Sequence, residues 1–172
     1  SLRLDPPPRE VVEEEDGGNR VAVWRERPAP GTDRLAFTAD FEVEALPVLS
    51  GVDPERVVPC DPSGPEALRF TRAEPWAERT PEIRALASEV AGDETNTWRV
   101  VRRLFDRVRA ELTYVYPEPT DRGAARALAR RSGDCGEFAH LFVALARARG
   151  IPARAVTACW FEGSGHQWAQ AF

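Results

Sequence analysis

Apolar and polar residues follow two different rhythms along this chain. In the first half the rhythm is two. From Leu35 to Ala45, apolar Leu35, Phe37, Ala39, Phe41, Val43 and Ala45 alternate with Ala36, Thr38, Asp40, Glu42 and Glu44. That pattern predicts a strand with one buried and one wet face, ended by Pro47. Arg9–Glu15 and Arg20–Arg27 flank Asp16-Gly17-Gly18-Asn19, which predicts a hairpin. Asp5-Pro6-Pro7-Pro8 reads as an extended opening, and a short strand is expected at Ala67–Phe70.

Beyond about residue 75 the period lengthens to that of a helix. Thr80 before Pro81 is an N-cap with proline at the first helical position, opening a helix to about Val90 that Gly92-Asp93 ends. A second helix is expected over Thr97–Leu112, with Trp98, Val101, Leu104, Phe105, Val108 and Leu112 on one apolar stripe. Thr113–Tyr116 reads as a short extended piece, and Arg122–Arg130 as an alanine- and arginine-rich helix. From Cys135 to about Arg149, Phe138, Leu141, Phe142 and Leu145 fall on one buried helical face, stopped by Gly150-Ile151-Pro152. Two strands, Ala153–Phe161 and His166–Phe172, follow around Gly163-Ser164-Gly165. The expected division is a β-rich lobe over 1–75 and a mixed helix-and-strand core over 76–172.

Composition removes several functional classes. The 172 residues are 42% hydrophobic and 30% charged with a net charge of −5, and the arginines are scattered among acids. No basic patch suited to nucleic acid is visible. No apolar run reaches the roughly eighteen residues of a membrane span. The chain starts Ser-Leu-Arg-Leu and contains no Met, so its native start is expected upstream. The compartment is not fixed: the cytoplasm is favoured, and a removed signal peptide stays open. Three cysteines (Cys60, Cys135 and Cys159) and two histidines (His140 and His166), with no C-x-x-C, argue against a disulfide framework or zinc site. A metal set of Cys135, Cys159 and His166 matches no common ligand spacing. Neither cofactor nor metal is expected.

The candidate chemistry centres on Ser132-Gly133-Asp134-Cys135-Gly136-Glu137. Asp134 can cap the helix and Glu137, three residues on, completes a capping box. Cys135 is then the first helical residue, among free N–H groups at the positive end of the helix dipole, a setting suited to a nucleophilic thiolate. Gly133 and Gly136 are expected to leave room for a substrate backbone. A thiolate needs an acid/base partner. His140 lies five residues on, a rotation about 140° away from Cys135, and reads as structural or surface. His166 follows a glycine turn and shares a face with Trp168, which is expected to pack on the imidazole. By spacing alone, His166 as acid/base and His166 as a hydrogen-bonded core histidine both stay open.

These residues carry a resemblance. Arg131–Ala139, then Leu141–Arg147, Gly150-Ile151-Pro152-Ala153-Arg154 and Gly165-His166-Gln167-Trp168-Ala169, closely resemble the transglutaminase-like superfamily, over roughly residues 80–172. Leu112–Tyr116 is similar to an extended segment of its bacterial members, which often carry a β-rich lobe before the core. The resemblance implies an α+β, papain-like core, with a Cys-bearing helix on an antiparallel sheet. It implies Cys135 as nucleophile, His166 as acid/base and an aspartate on a following strand. Phe172 precedes any such strand, so the core is expected to be truncated, with an exposed sheet edge open to self-association. Neither Asp121 nor Glu162 matches the aspartate motif. The implied reaction is acyl transfer, or amide or peptide hydrolysis, through a thioester. Its substrate would be a protein or peptide offering a glutamine or amide carbonyl. A catalytically idle binding or assembly module with the same fold is the alternative.

Overall fold

The computed structural model describes residues 2–13, 19–28, 30–31, 34–42, 44, 51–116, 122–159 and 165–172, the side chain of Cys159 excepted. The chain divides into two compact units, residues 1–50 and 51–172. Residues 51–75 therefore group with the second unit. Among the described residues no helix is long and apolar enough to cross a membrane.

The first unit contains β1 (Leu2–Asp5), β2 (Glu10–Glu13), β3 (Arg20–Val23) and β4 (Thr38–Phe41). The expected hairpin is present: β2 and β3 pair antiparallel from Glu10↔Val23 to Glu13↔Arg20. Its turn at 16–18 lies outside the described residues. β4 pairs antiparallel with β1, Leu2↔Phe41 to Asp5↔Thr38. This strand is shorter than the alternation predicts, although Val43 and Ala45 lie outside the described residues. It also lacks the expected buried face, with Phe37 46% and Phe41 58% exposed. A two-stranded ribbon has no second layer to bury its apolar side. Phe37 instead packs on Trp24, ring centroids 5.2 Å apart.

In the second unit α1 spans Pro65–Phe70, where a strand was expected. Pro65 at the first turn, acidic Glu66 behind it and burial of Ala67 and Phe70, three residues apart, all favour a helix. Four residues are too few for periodicity to separate that from a strand. α2 (Pro81–Ala91) starts as predicted, with Thr80 Oγ1 accepting from Ile83 N at 3.4 Å. α3 (Thr97–Glu111) is capped by Asn96, whose Oδ1 accepts from Arg99 N at 3.1 Å. Its buried line runs Val100, Leu104, Val108 and on to Leu112, whereas Phe105 is exposed. The expected stripe is thus rotated, and Phe105 is free to line a cleft.

The remaining elements are β5 (Thr113–Tyr114), α4 (Ala124–Arg130), β6 (Ser132–Gly133), α5 (Cys135–Ala148), β7 (Ala153–Cys159) and β8 (Gly165–Ala171). α5 is the hub. Leu141, Val143, Ala144, Leu145 and Ala146 are each 1% exposed or less, so it is buried well beyond the predicted single face. α2, α3, α4 and the β7–β8 hairpin all pack on it. That is the environment of a helix apolar nearly all round. Gly150, at φ 73°, ends it, and Ile151 N donates to Ala146 O at 3.0 Å. Buried Arg147 donates to the carbonyls of Ala153 (2.9 Å) and Arg72 (2.8 Å) and pairs with Glu74 at 3.0 Å. β7 and β8 pair antiparallel from Ala153↔Ala171 to Cys159↔Gly165. The other edge of β8 carries no strand among the described residues. The connection at 160–164, Glu162 included, lies outside them, as do 117–121 with Asp121.

Candidate active site

The turn into α5 is held from three sides. Asp134 Oδ1 accepts from Gly136 N at 2.8 Å, and Glu137 Oε2 accepts from Asp134 N at 3.4 Å, closing the predicted capping box. Before the turn, β6 runs parallel to β5, pairing Thr113↔Ser132 and Tyr114↔Gly133. Val115 N donates to Gly133 O at 3.0 Å. Behind the turn the buried body of α5 fixes its direction. Cys135, a half-buried free thiol, is the first residue of the helix.

Asp134 and Glu137 are 5% and 1% exposed, and both meet Arg122. Arg122 Nε and Nη2 donate to the two Glu137 oxygens, each at 3.0 Å, and Nη2 also pairs with Asp134 Oδ1. The two carboxylates raise the pKa of Arg122, the Glu137 hydrogen bond being the largest cause. Buried carboxylates demand such a partner. Nothing in the sequence pattern singled out Arg122, because all 23 basic residues are arginines and many lie on amphipathic helices.

The flanking glycines serve a different purpose from the one expected. A Cβ on Gly133 would lie 2.2 Å from Glu137 Cβ. One on Gly136 would lie 2.6 Å from Arg122 Nη2 and 2.7 Å from Gln167 Oε1. The space they leave is filled by the protein's own side chains.

Cys135 opens into a cleft of about 380 Å³ between α3, β5, α5 and β8. Its apolar walls include Phe105, Tyr114, Phe138, Phe142 and Trp168, and Arg109 is on the same wall as Phe105. His166 lines it too. Thus the structure brings the two predicted site residues to one cleft. Trp168 stacks beside the His166 ring as expected, with centroids 6.2 Å apart and planes at 29°. Along β8, Gln167 and Ala169 alternate with His166 and Trp168, yet all four reach the cleft, so it runs along the strand's edge. Gln167 Nε2 donates to Thr157 Oγ1 at 2.8 Å, which holds the amide beside Gly136.

Tyr114 is a second residue that the pattern did not mark. Its ring lies 6.2 Å from Phe138, and its phenol pKa is raised by partial burial first, then by Cys135 and Asp134. His140 points elsewhere, as its rotation predicted. It is 7% exposed, tilted against Trp76 at 5.6 Å, and burial lowers its pKa.

The sequence profile of the transglutaminase-like superfamily matches residues 84–172. The chain belongs to the transglutaminase-like superfamily. A candidate cysteine protease from Cytophaga hutchinsonii has a similar fold, with a TM-score of 0.63 and 23% identity over 99% of this chain and 60% of that one. The periplasmic domain of TgpA from Pseudomonas aeruginosa gives a TM-score of 0.50 and 23% identity over 70% of this chain and 44% of its own. The chain therefore spans less than two thirds of either neighbour. Comparison with curated protein sequences gives no match. The superfamily's α+β core is the second unit's fold: a buried helix that begins with cysteine, packed on an antiparallel hairpin.

Proposed function

We propose that this transglutaminase-like core transfers acyl groups through a thioester on Cys135, with His166 as acid and base. One observation carries the reading: the thiol at the start of the capped, buried α5 and the His166 imidazole line the same cleft. His166 takes the thiol proton as sulfur attacks an amide carbonyl carbon, and the carbonyl electron pair moves to oxygen. The backbone N–H of Cys135, at a helix start, is suited to receive that oxyanion. When the tetrahedral species collapses, the C–N bond breaks and the imidazolium hands its proton to the departing amine or ammonia. Water or a second amine then attacks the thioester carbonyl carbon, losing its proton to His166. The C–S bond breaks and the departing thiolate takes that proton from the imidazolium, so the thiol re-forms. Protein or peptide substrates bearing a glutamine or amide carbonyl fit this cycle, and hydrolysis and transfer differ only in the acceptor.

The test has two arms. Iodoacetamide at pH 6 should label Cys135 well ahead of Cys60. Incubation with a glutamine donor plus an amine, and separately with a peptide library, should give turnover that Cys135→Ala abolishes. Equal labelling of the two cysteines, or turnover that survives Cys135→Ala, would sink the proposal.

A further inference from the structure

We infer that Arg122 is the positioning residue of this site, locking the first turn of α5 and with it the direction of the Cys135 thiol. The inference rests on the reading of Cys135 as nucleophile and deepens it. A capping box is normally two reciprocal bonds between a cap and the third helical residue. Here both bonds pass through atoms that one guanidinium also holds. Asp134 Oδ1 accepts from Gly136 N and from Arg122 Nη2. Glu137 Oε2 accepts from Asp134 N and from the same Nη2, while Nε takes Glu137 Oε1. Cys135 is the residue between these anchors. A planar fork fixes two carboxylates in angle as well as distance, which an ammonium cannot do.

The surrounding sequence makes room for this contact. A Cβ on Gly136, in the first turn of α5, would strike Arg122 Nη2, at 2.6 Å. The arginine lies just before α4, whose first residue is anchored: Ala124 N donates to Trp76 O at 2.7 Å. Arg122 thus reaches the turn from a separately anchored element and is not among the described residues that line the cleft. It acts through Asp134 and Glu137.

The experiment separates reactivity from stability, measuring the second-order rate constant for iodoacetamide at Cys135 and the thermal midpoint side by side. Arg122→Gln is expected to stay folded by circular dichroism and to lose at least about tenfold in rate, since small misplacements of a reacting group are costly. Arg122→Lys restores the half-buried positive charge without the fork. It should recover the midpoint of the wild type but less than about a third of its rate. If Lys restores rate and midpoint together, or Gln leaves the rate unchanged, Arg122 only neutralises charge and the inference is wrong. Should Arg122→Gln fail to fold, the neutral network Arg122→Gln, Asp134→Asn, Glu137→Gln replaces it, and a wild-type rate there overturns the inference equally. Failure of the nucleophile reading looks different: Cys135 of the unmodified protein would then react no faster than Cys60.

Discussion

His140 and Cys135 share one helix, and burial has different consequences for each. His140 is packed against Trp76 inside the second unit, and desolvation of its charged form, ahead of opposing effects from Glu137 and Glu78, lowers its pKa. The sign of the linkage follows. Above about pH 6.5, the ordinary histidine value, both the folded and unfolded states hold it neutral. As pH falls below that value the unfolded chain takes up a proton that the folded chain resists, so stability is lost on acidification through that window. Urea midpoints measured from pH 7 down to pH 5 should fall more steeply for the wild type than for His140→Phe, which has no such proton to bind. Parallel curves would mean that His140 binds its proton equally in both states. That His140 turns away from Cys135 was legible in the sequence, since five residues on a helix fix a rotation. That Arg122 meets Asp134 and Glu137 was not, because a guanidinium can reach many places and only the packing of α4 against α5 selects one.

At the scale of elements, α5 was the most legible part of the chain. Its cap, capping box and first residue lie within a few residues of one another at one end, and its glycine stop is equally local at the other, so local hydrogen bonding decides the outcome at each end. The β6–α5 turn supplies a prediction of its own. Gly133→Ala places a methyl 2.2 Å from Glu137 Cβ, close to a buried backbone that cannot yield, and should cost about 1–3 kcal/mol, the usual range for overpacking. Gly136→Ala meets the tips of longer side chains and gains about 1 kcal/mol of helix propensity, so its net loss should be smaller. Denaturant melts of the two variants check the order. If Gly136→Ala is the more damaging, the Arg122 contact is stiffer than its side-chain tip implies. Elements with few residues were less legible. α1 was expected as a strand, and β4 was expected longer and half-buried, because in each case the deciding factor was what lay beside the segment.

At the scale of the molecule, the hydrophobic core cluster among the described residues lies in the second unit, from Ala77 to Ala153. The cleft, Cys135 and His166 lie there as well. Residues 51–172 alone should therefore melt cooperatively, with a midpoint lowered by no more than about 5 °C, the shift that roughly 1 kcal/mol produces. They should also keep the alkylation rate of Cys135. Loss of the cooperative transition on removing residues 1–50 would show that the first unit supplies core energy.

The sequence by itself determined the superfamily, the helix that begins at Cys135, its capping box and the hairpin that carries His166. Each of these follows from residues near one another in the chain, through periodicity, capping and turn chemistry. Only the tertiary structure decided that His166 and Cys135 open on one cleft, that Tyr114 and Phe105 line it, and that Gly133 and Gly136 make way for Glu137 and Arg122. Those contacts join residues brought close by the packing of α3, α4 and β8 around α5, and no local pattern encodes which side chains such packing will bring together. The position of Cys135 at a capped helix start was readable from its neighbours in sequence, whereas the arginine behind it became visible only once the helix had neighbours in space.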